Sequence, residues 1–197
     1  MRNEPLNTLD YKGYKINIYQ DTDPLNPRTE NDNLGVMVCF HRRYSLGDEK
    51  ISKTYTPDSF QEYLESPEGK KEIVAILPLY LYDHSGITIS TKPFSCQWDS
   101  GQIGYIYLSR NKAIQEWGKK IPLKEKLESY LESEVKTYDK YLTGSFVGYE
   151  INGPEIDGAS CWGYDDEKYC IEEAKSIVDY HAKQKPIEQW EKEVMAI

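Results

Sequence analysis

Apolar and polar residues alternate through "YKGYKINIY" (Tyr11–Tyr19), the period of a strand with one buried face, so an N-terminal strand is predicted there. "LGVMVCFHRRY" (Leu34–Tyr44) predicts a second strand. "GITIS" and "QIGYIYLS" predict two more, linked by "TKPFSCQWDSG", and "GSFVGYEI" (Gly144–Ile151) returns to strand. Two segments carry the helical period instead. "TPDSFQEYLES" (Thr56–Ser66) predicts a short helix, with Thr56 as cap and Pro57 at the first helical position, where no amide partner is required. In "PLKEKLESYLESEVKTYDKYL" the residues Leu123, Leu127, Tyr130, Leu131, Val135, Tyr138 and Leu142 recur on one face.

Other stretches are read by their breakers. "EIVAILPLYLYDH" (Glu72–His84) begins as an apolar extension of a helical segment, which Pro78 is expected to break before an extended "LYLY". "QDTDPLNPRTENDN" (Gln20–Asn33) and "NGPEIDG" read as loop and turn. The loop's acids do not make an EF-hand, since Pro24 and Pro27 follow Asp21 and Asp23 and the sixth-position glycine and terminal Glu are missing. Helix is predicted again from about Asp165 to Lys185, with Pro186 opening a last helical segment. The pattern implies a single α+β domain over residues 1–197, with 1–10 and 186–197 peripheral. Its mainly antiparallel sheet comes largely from the N-terminal two-thirds, and amphipathic helices from the C-terminal part pack on it.

Composition narrows the class. The chain has 197 residues, enough for one substantial core, and 17 Tyr against 4 Phe, a balance suited to half-buried strands and contact surfaces. No apolar run reaches the roughly 20 residues of a membrane span, and "MRNEPLNTLD" has no hydrophobic leader, so a cytoplasmic protein is expected. Cys39, Cys96, Cys161 and Cys170 are far apart with no CxxC, which favours buried thiols over disulfides or structural zinc. Cys39 and His41 stand two apart on a predicted strand. No second pair completes a metal site, so a buried thiol and a hydrogen-bonded histidine are expected, with no metal and no cofactor.

The net charge of −9 is uneven: residues 1–121 carry 15 basic and 16 acidic side chains, residues 122–197 carry 9 and 17. A net of −8 over the second part repels duplex phosphates and favours cationic partners. The bland reading is a set of solvated helix faces.

Candidate chemistry concentrates in "YDHSGITISTKPFSCQWDSGQIGYIYLS" (Tyr82–Ser109). Ser85 or Cys96 could be a nucleophile, His84 its base and Asp99 the orienting group, provided all lie within hydrogen-bond reach. His41 with Arg42 and Arg43 could form a phosphate-binding edge, or the arginines could pair with the C-terminal carboxylates. No GxSxG, P-loop, GxGxxG or HExxH is present. A scaffold reading explains more of the stretch: Gly86 and Gly101 at strand ends, Pro93 stopping a ladder, Asp83, Ser85, Asp99 and Ser100 satisfying loop amides, and Phe94 and Trp98 covering the sheet.

"DNLGVMVCFHRRYSLGD", "YDHSGITISTKPFSCQWDSGQIGYIYLS", "YDKYLTGSFVGYEI" and "SCWGYDD" resemble blocks of a family of uncharacterised proteins encoded by bacteriophages and mobile elements. The chain departs from that family's pattern at Gln97, where the family tends to have Pro, and at Ala159, where it tends to have Asp. The resemblance implies a protein acting in a bacterial host cell. It further implies an acidic binding protein that inhibits a host defence protein or nucleoprotein complex, of the anti-CRISPR or antirestriction type, by protein–protein contact. Its expected contact carboxylates are Glu125, Glu128, Glu132, Glu134 and Asp139; neither duplex nor membrane binding is expected. The alternative is a small hydrolase or nucleotide-processing enzyme around His41, Arg42, Arg43, Asp83, His84, Cys96 and Asp99. That reading requires these side chains to converge in one concave pocket.

Overall fold

The computed structural model describes residues 4–154, 156 and 158–195, with side chains described as far as residue 183. The fold is α+β with two antiparallel four-stranded sheets, and the chain divides into two compact units, 26–143 and 1–25 with 144–197. The strands thus belong to two sheets, where the local pattern suggested one.

Unit 26–143 contains β3 (Val36–Cys39), β4 (Ile73–Asp83), β5 (Ile87–Ser90) and β6 (Ser100–Ser109), in the order β3-β6-β4-β5. Two one-turn helices, α1 (Pro27–Glu30) and α2 (Glu49–Ser52), flank β3; α3 (Pro57–Glu65) and α4 (Pro67–Glu72) precede β4; α5 (Arg110–Trp117) and α6 (Lys124–Leu142) follow β6. The expected cap of α3 is present as a full capping box: Thr56 accepts from Ser59 N, and Ser59 Oγ accepts from Thr56 N at 2.8 Å. Leu127, Leu131, Val135 and Tyr138 of α6 are buried against Met37, Leu79, Ile106 and Leu108, as the helical period requires. Leu123 is the exception. It is the N-cap residue of α6 and stands 79% exposed.

Pro78 does not end an element; β4 runs through it, paired with Tyr105 of β6. On the opposite side β5 reaches only Tyr80–Asp83, so β4 has an open edge where the proline stands. The start of the apolar run is likewise strand rather than helix, since α4 stops at Glu72.

A buried ion network ties the N-terminal loop of this unit to α6. The Arg28 side chain, 1% exposed, uses all its donors: Nε and Nη2 on Asp48 at 3.0 and 2.8 Å, Nη1 on Glu134 and Asn33, and Nη2 also on the Gly35 carbonyl. Both carboxylates accept backbone amides as well, Met37 N on Asp48 and Leu34 N on Glu134. Every charge in the cluster is therefore hydrogen-bonded, which is the condition for burying it.

The other unit holds β1 (Asn7–Tyr11), β2 (Tyr14–Gln20), β7 (Val147–Asn152) and β8 (Ala159–Tyr164) in chain order across the sheet, with α7 (Glu167–Met195) on one face. Tyr14, Ile16, Ile18, Tyr149 and Ile151 pack against Cys170, Ala174 and Val178. β1 extends the predicted N-terminal strand into a hairpin, so residues 7–10 are part of the sheet. Strand β8 lies in a stretch the apolar pattern left unassigned, because four of its six residues are exposed. The α7 backbone continues through Pro186 to Met195; the side chains of the expected peripheral segment 186–197 lie outside the described residues.

Candidate functional site

Antiparallel pairing of β3 with β6 and of β6 with β4 puts the C-terminal ends of β3 and β4 beside the N-terminal end of β6. The loops leaving these ends carry His41-Arg42-Arg43, Asp83-His84 and Trp98-Asp99. Backbone bonds fix them: Phe40 N donates to Ile103 O at 2.6 Å and Asp83 N to Asp99 O at 2.8 Å. At Gly104 a Cβ would stand 1.9 Å from the Val38 carbonyl oxygen, so glycine is what lets β3 and β6 close here. Next to it β6 carries a bulge, since Leu79 pairs with Gly104 and Tyr80 with Gln102, leaving Ile103 unmatched.

The result is a cleft of about 620 Å³ whose lining includes His41, Arg42, Arg43, Asp83, Trp98 and Asp99. That volume lies in the range of small-molecule sites. Trp98 is 96% exposed. It was expected to cover the sheet and instead stands in solvent. The Ser100 hydroxyl donates to the Cys96 carbonyl, closing the loop tightly enough that the indole is carried at its rim.

The two histidines are held differently. His41 Nδ1 accepts from the amides of Arg43 and Tyr44 at 3.3 and 3.2 Å, which leaves its proton on Nε2, and its ring stacks on Tyr44 at 4.9 Å. His84 Nδ1 lies 3.3 Å from Asp99 Oδ2, a charge contact when the ring is protonated rather than an aligned hydrogen bond. His41 thus offers a fixed donor at Nε2, whereas His84 has a carboxylate at its side. His84 is exposed and stacks on Tyr82.

Asp83 is occupied: Arg43 pairs with its Oδ2 and the Tyr44 hydroxyl donates to its Oδ1. Arg43 therefore pairs within its own unit. Arg42 is exposed and makes no ion pair among the described residues. Cys96 Sγ donates to Asp99 Oδ2 at 3.7 Å. Ser85 sits at the tip of the β4–β5 turn with φ 57°, exposed. Cys39 is buried, as expected, and burial pushes its thiol up to about 12. Among the described residues no three His, Cys, Asp or Glu side chains group as a metal site.

The five α6 carboxylates do not share one role. Glu134 belongs to the Arg28 network, and Asp139 accepts the Ile89 amide at 2.8 Å. Glu128 pairs with Lys124, and Glu132 lies between Lys92 and Lys136. Glu125 is exposed. Charge tells the same story: residues 26–143 hold 16 basic and 17 acidic side chains, whereas 1–25 with 144–197 hold 8 and 16. The acidic excess belongs to the unit built on β1, β2, β7, β8 and α7.

No protein-family model, curated protein or solved structure matches the chain. Among the described residues no helix is long and apolar enough to cross a membrane.

Proposed function

We propose that the protein is a nucleotide-processing hydrolase whose site is the cleft at the ends of β3, β4 and β6. The observation that carries this reading is convergence: His41, Arg42, Arg43, Asp83 and Asp99 come from three loops remote in sequence and line one concavity, which His84 adjoins through Asp99 and to whose lining Cys96 does not belong. Arg42 supplies the charge for a phosphate group, and the bare indole of Trp98 supplies a stacking face for a base. His84 Nε2 takes a proton from water as its oxygen attacks phosphorus, and Asp99 stabilises the imidazolium that forms. The phosphorus–oxygen bond to the leaving group breaks, the departing oxygen accepting a hydrogen bond from His41 Nε2–H and taking its proton from solvent, to which His84 returns the one it removed. Arg43, Asp83 and Tyr44 position His41 and the loop that bears it.

The test is a calorimetric binding screen of nucleotides with a parallel assay for phosphoester hydrolysis. His84→Ala is expected to lower turnover by roughly 100-fold or more, the usual scale for a general base. Trp98→Ala is expected to weaken binding. A wild-type chain that neither binds nor cleaves any of them would sink the reading.

A second reading, inhibition of a host defence complex by an acidic protein of phage or mobile-element origin, is supported by the net charge of −8 on residues 1–25 with 144–197. The contact then involves acids such as Asp166, Glu172 and Glu173. Reversing these three charges should abolish a salt-sensitive complex with a nucleic-acid-handling partner, while reversing Glu125, Glu128 and Glu132 should leave it intact. The opposite pattern would return the contact to α6, and no effect from either set would remove the acidic-surface idea.

A further inference from the structure

A recess of about 310 Å³ adjoins the cleft, sharing Phe40, Gln102 and Ile103 with it and adding Asp58, Gln61 and Tyr105. The two compartments meet at these shared residues, at the ends of β3 and β6. Their chemistry differs. The cleft contains both arginines and Trp98, whereas the recess contains no cation and one acid, so a phosphate is favoured only in the cleft.

The recess instead offers a fixed aromatic wall with polar groups at its edge. The Tyr105 hydroxyl donates to Gln61 Oε1 at 3.2 Å, and its ring packs at 5.9 Å on Phe60, which is fully buried. Phe40 packs on Phe60 as well, at 6.0 Å. Asp58 and Gln61 stand exposed on α3, whose N-terminus is locked by the capping box. A flat π surface with hydrogen-bonding groups beside it is the chemistry that receives a nucleobase. Trp98 lines the cleft and not the recess, while Tyr105 lines the recess and not the cleft. A mononucleotide has one base and cannot use both platforms.

Resting on the nucleotide reading above, we propose that the ligand is a single-stranded dinucleotide unit. One base stacks on Trp98, the phosphate meets Arg42, and the second base enters the recess against Phe40 and Tyr105.

The experiment is calorimetry on the full chain with the four 5′-phosphorylated homodinucleotides and the matching mononucleotides. At least one dinucleotide should bind about tenfold or more tightly than its mononucleotide, the scale of one stacked base. Tyr105→Leu should erase that difference and leave mononucleotide affinity unchanged. Asp58→Trp, at an exposed position lining the recess, fills it and repeats the test if the tyrosine variant fails to fold. Equal affinities for the two lengths, or a length preference that survives both substitutions, overturns the dinucleotide and leaves the nucleotide site standing. Failure of both lengths to bind removes the nucleotide reading itself.

Discussion

The two units are built from the same parts, a four-stranded antiparallel sheet and a long amphipathic helix, yet they spend their polar residues differently. Unit 26–143 is nearly neutral and puts charge inside: Arg28 lies buried between Asp48 and Glu134, and His41, two arginines, Asp83 and Asp99 gather at one sheet end. The β1–β2–β7–β8 unit carries the acidic excess, and its ion pair between Lys12 and Asp179, at 2.6 Å, is largely exposed. A surplus of charge and a site of chemistry are thus separate properties here, and the first does not locate the second.

The largest test of this contrast is Arg28→Met. It leaves two partly buried carboxylates without their cation and should cost about 3–5 kcal/mol, the range for breaking a buried ion pair. Chemical denaturation, with amide exchange at β3 and α6, measures it. Lys12→Met, by contrast, should shift the denaturation midpoint far less, because exposed pairs contribute little. Comparable losses in the two variants would erase the distinction.

Thiol reactivity tests the packing of both units at once. Cys39 and Cys170 are buried, and burial pushes each up to about 12. Native-state alkylation followed by mass spectrometry should modify exposed Cys161 first and half-buried Cys96 next. Cys39 and Cys170 should react only on unfolding. Early modification of Cys39 would mean that the β3–α2 side of its core is open.

The smallest expected effect is a pair of opposite pH slopes. Burial raises the Asp139 carboxyl above its ordinary value, partly offset by the Ile89 amide. The native state then holds this proton more tightly than the unfolded chain, so the contribution is present at low pH and is lost as pH rises through the raised value. Asp139→Asn should therefore stabilise the neutral protein by no more than about 0.5 kcal/mol, given the side chain's partial exposure. Asp179 is lowered, chiefly by its hydrogen bond from Lys12. Its contribution is present above the ordinary carboxylate value and is lost as pH falls through the lowered one. Denaturation of the two Asn variants between acid and neutral pH checks the signs, and parallel slopes would refute them.

What could be read along the chain was what neighbours decide. Thr56 and Pro57 start α3 because cap chemistry is local, and the α6 stripe shows because its residues repeat within one helix. The partition into two sheets was hidden, because β2 meets β7 only through Gln20–Val147 and the residues beyond, more than a hundred positions apart. Glu134 looked like a solvated acid for the same reason: its partner Arg28 is 106 residues away. Strand β8 escaped notice because its exposed face hides the alternation that betrays a half-buried strand. In the cleft, the residue types were visible in the loops after β3 and β4. The loop amides that hold His41 and the placing of Asp99 beside His84 are set by the folded loops, which no spacing reveals.

The pairing of Gln20 with Val147 has a consequence for biosynthesis. Everything from Asn26 to Thr143 is threaded between two adjacent strands of one sheet. On the ribosome that inserted segment is complete while β7, β8 and α7 are still untranslated, so β1 and β2 wait as a lone hairpin, which is marginal in water. Once β7 emerges, a collapsed insert shortens the effective loop between β2 and β7 and lowers the entropy of closing it. Prior collapse of the insert would thus favour closure of the second sheet. A nascent chain stalled with Thr143 just clear of the exit tunnel should already protect the β4 and β6 amides while leaving those of β2 open.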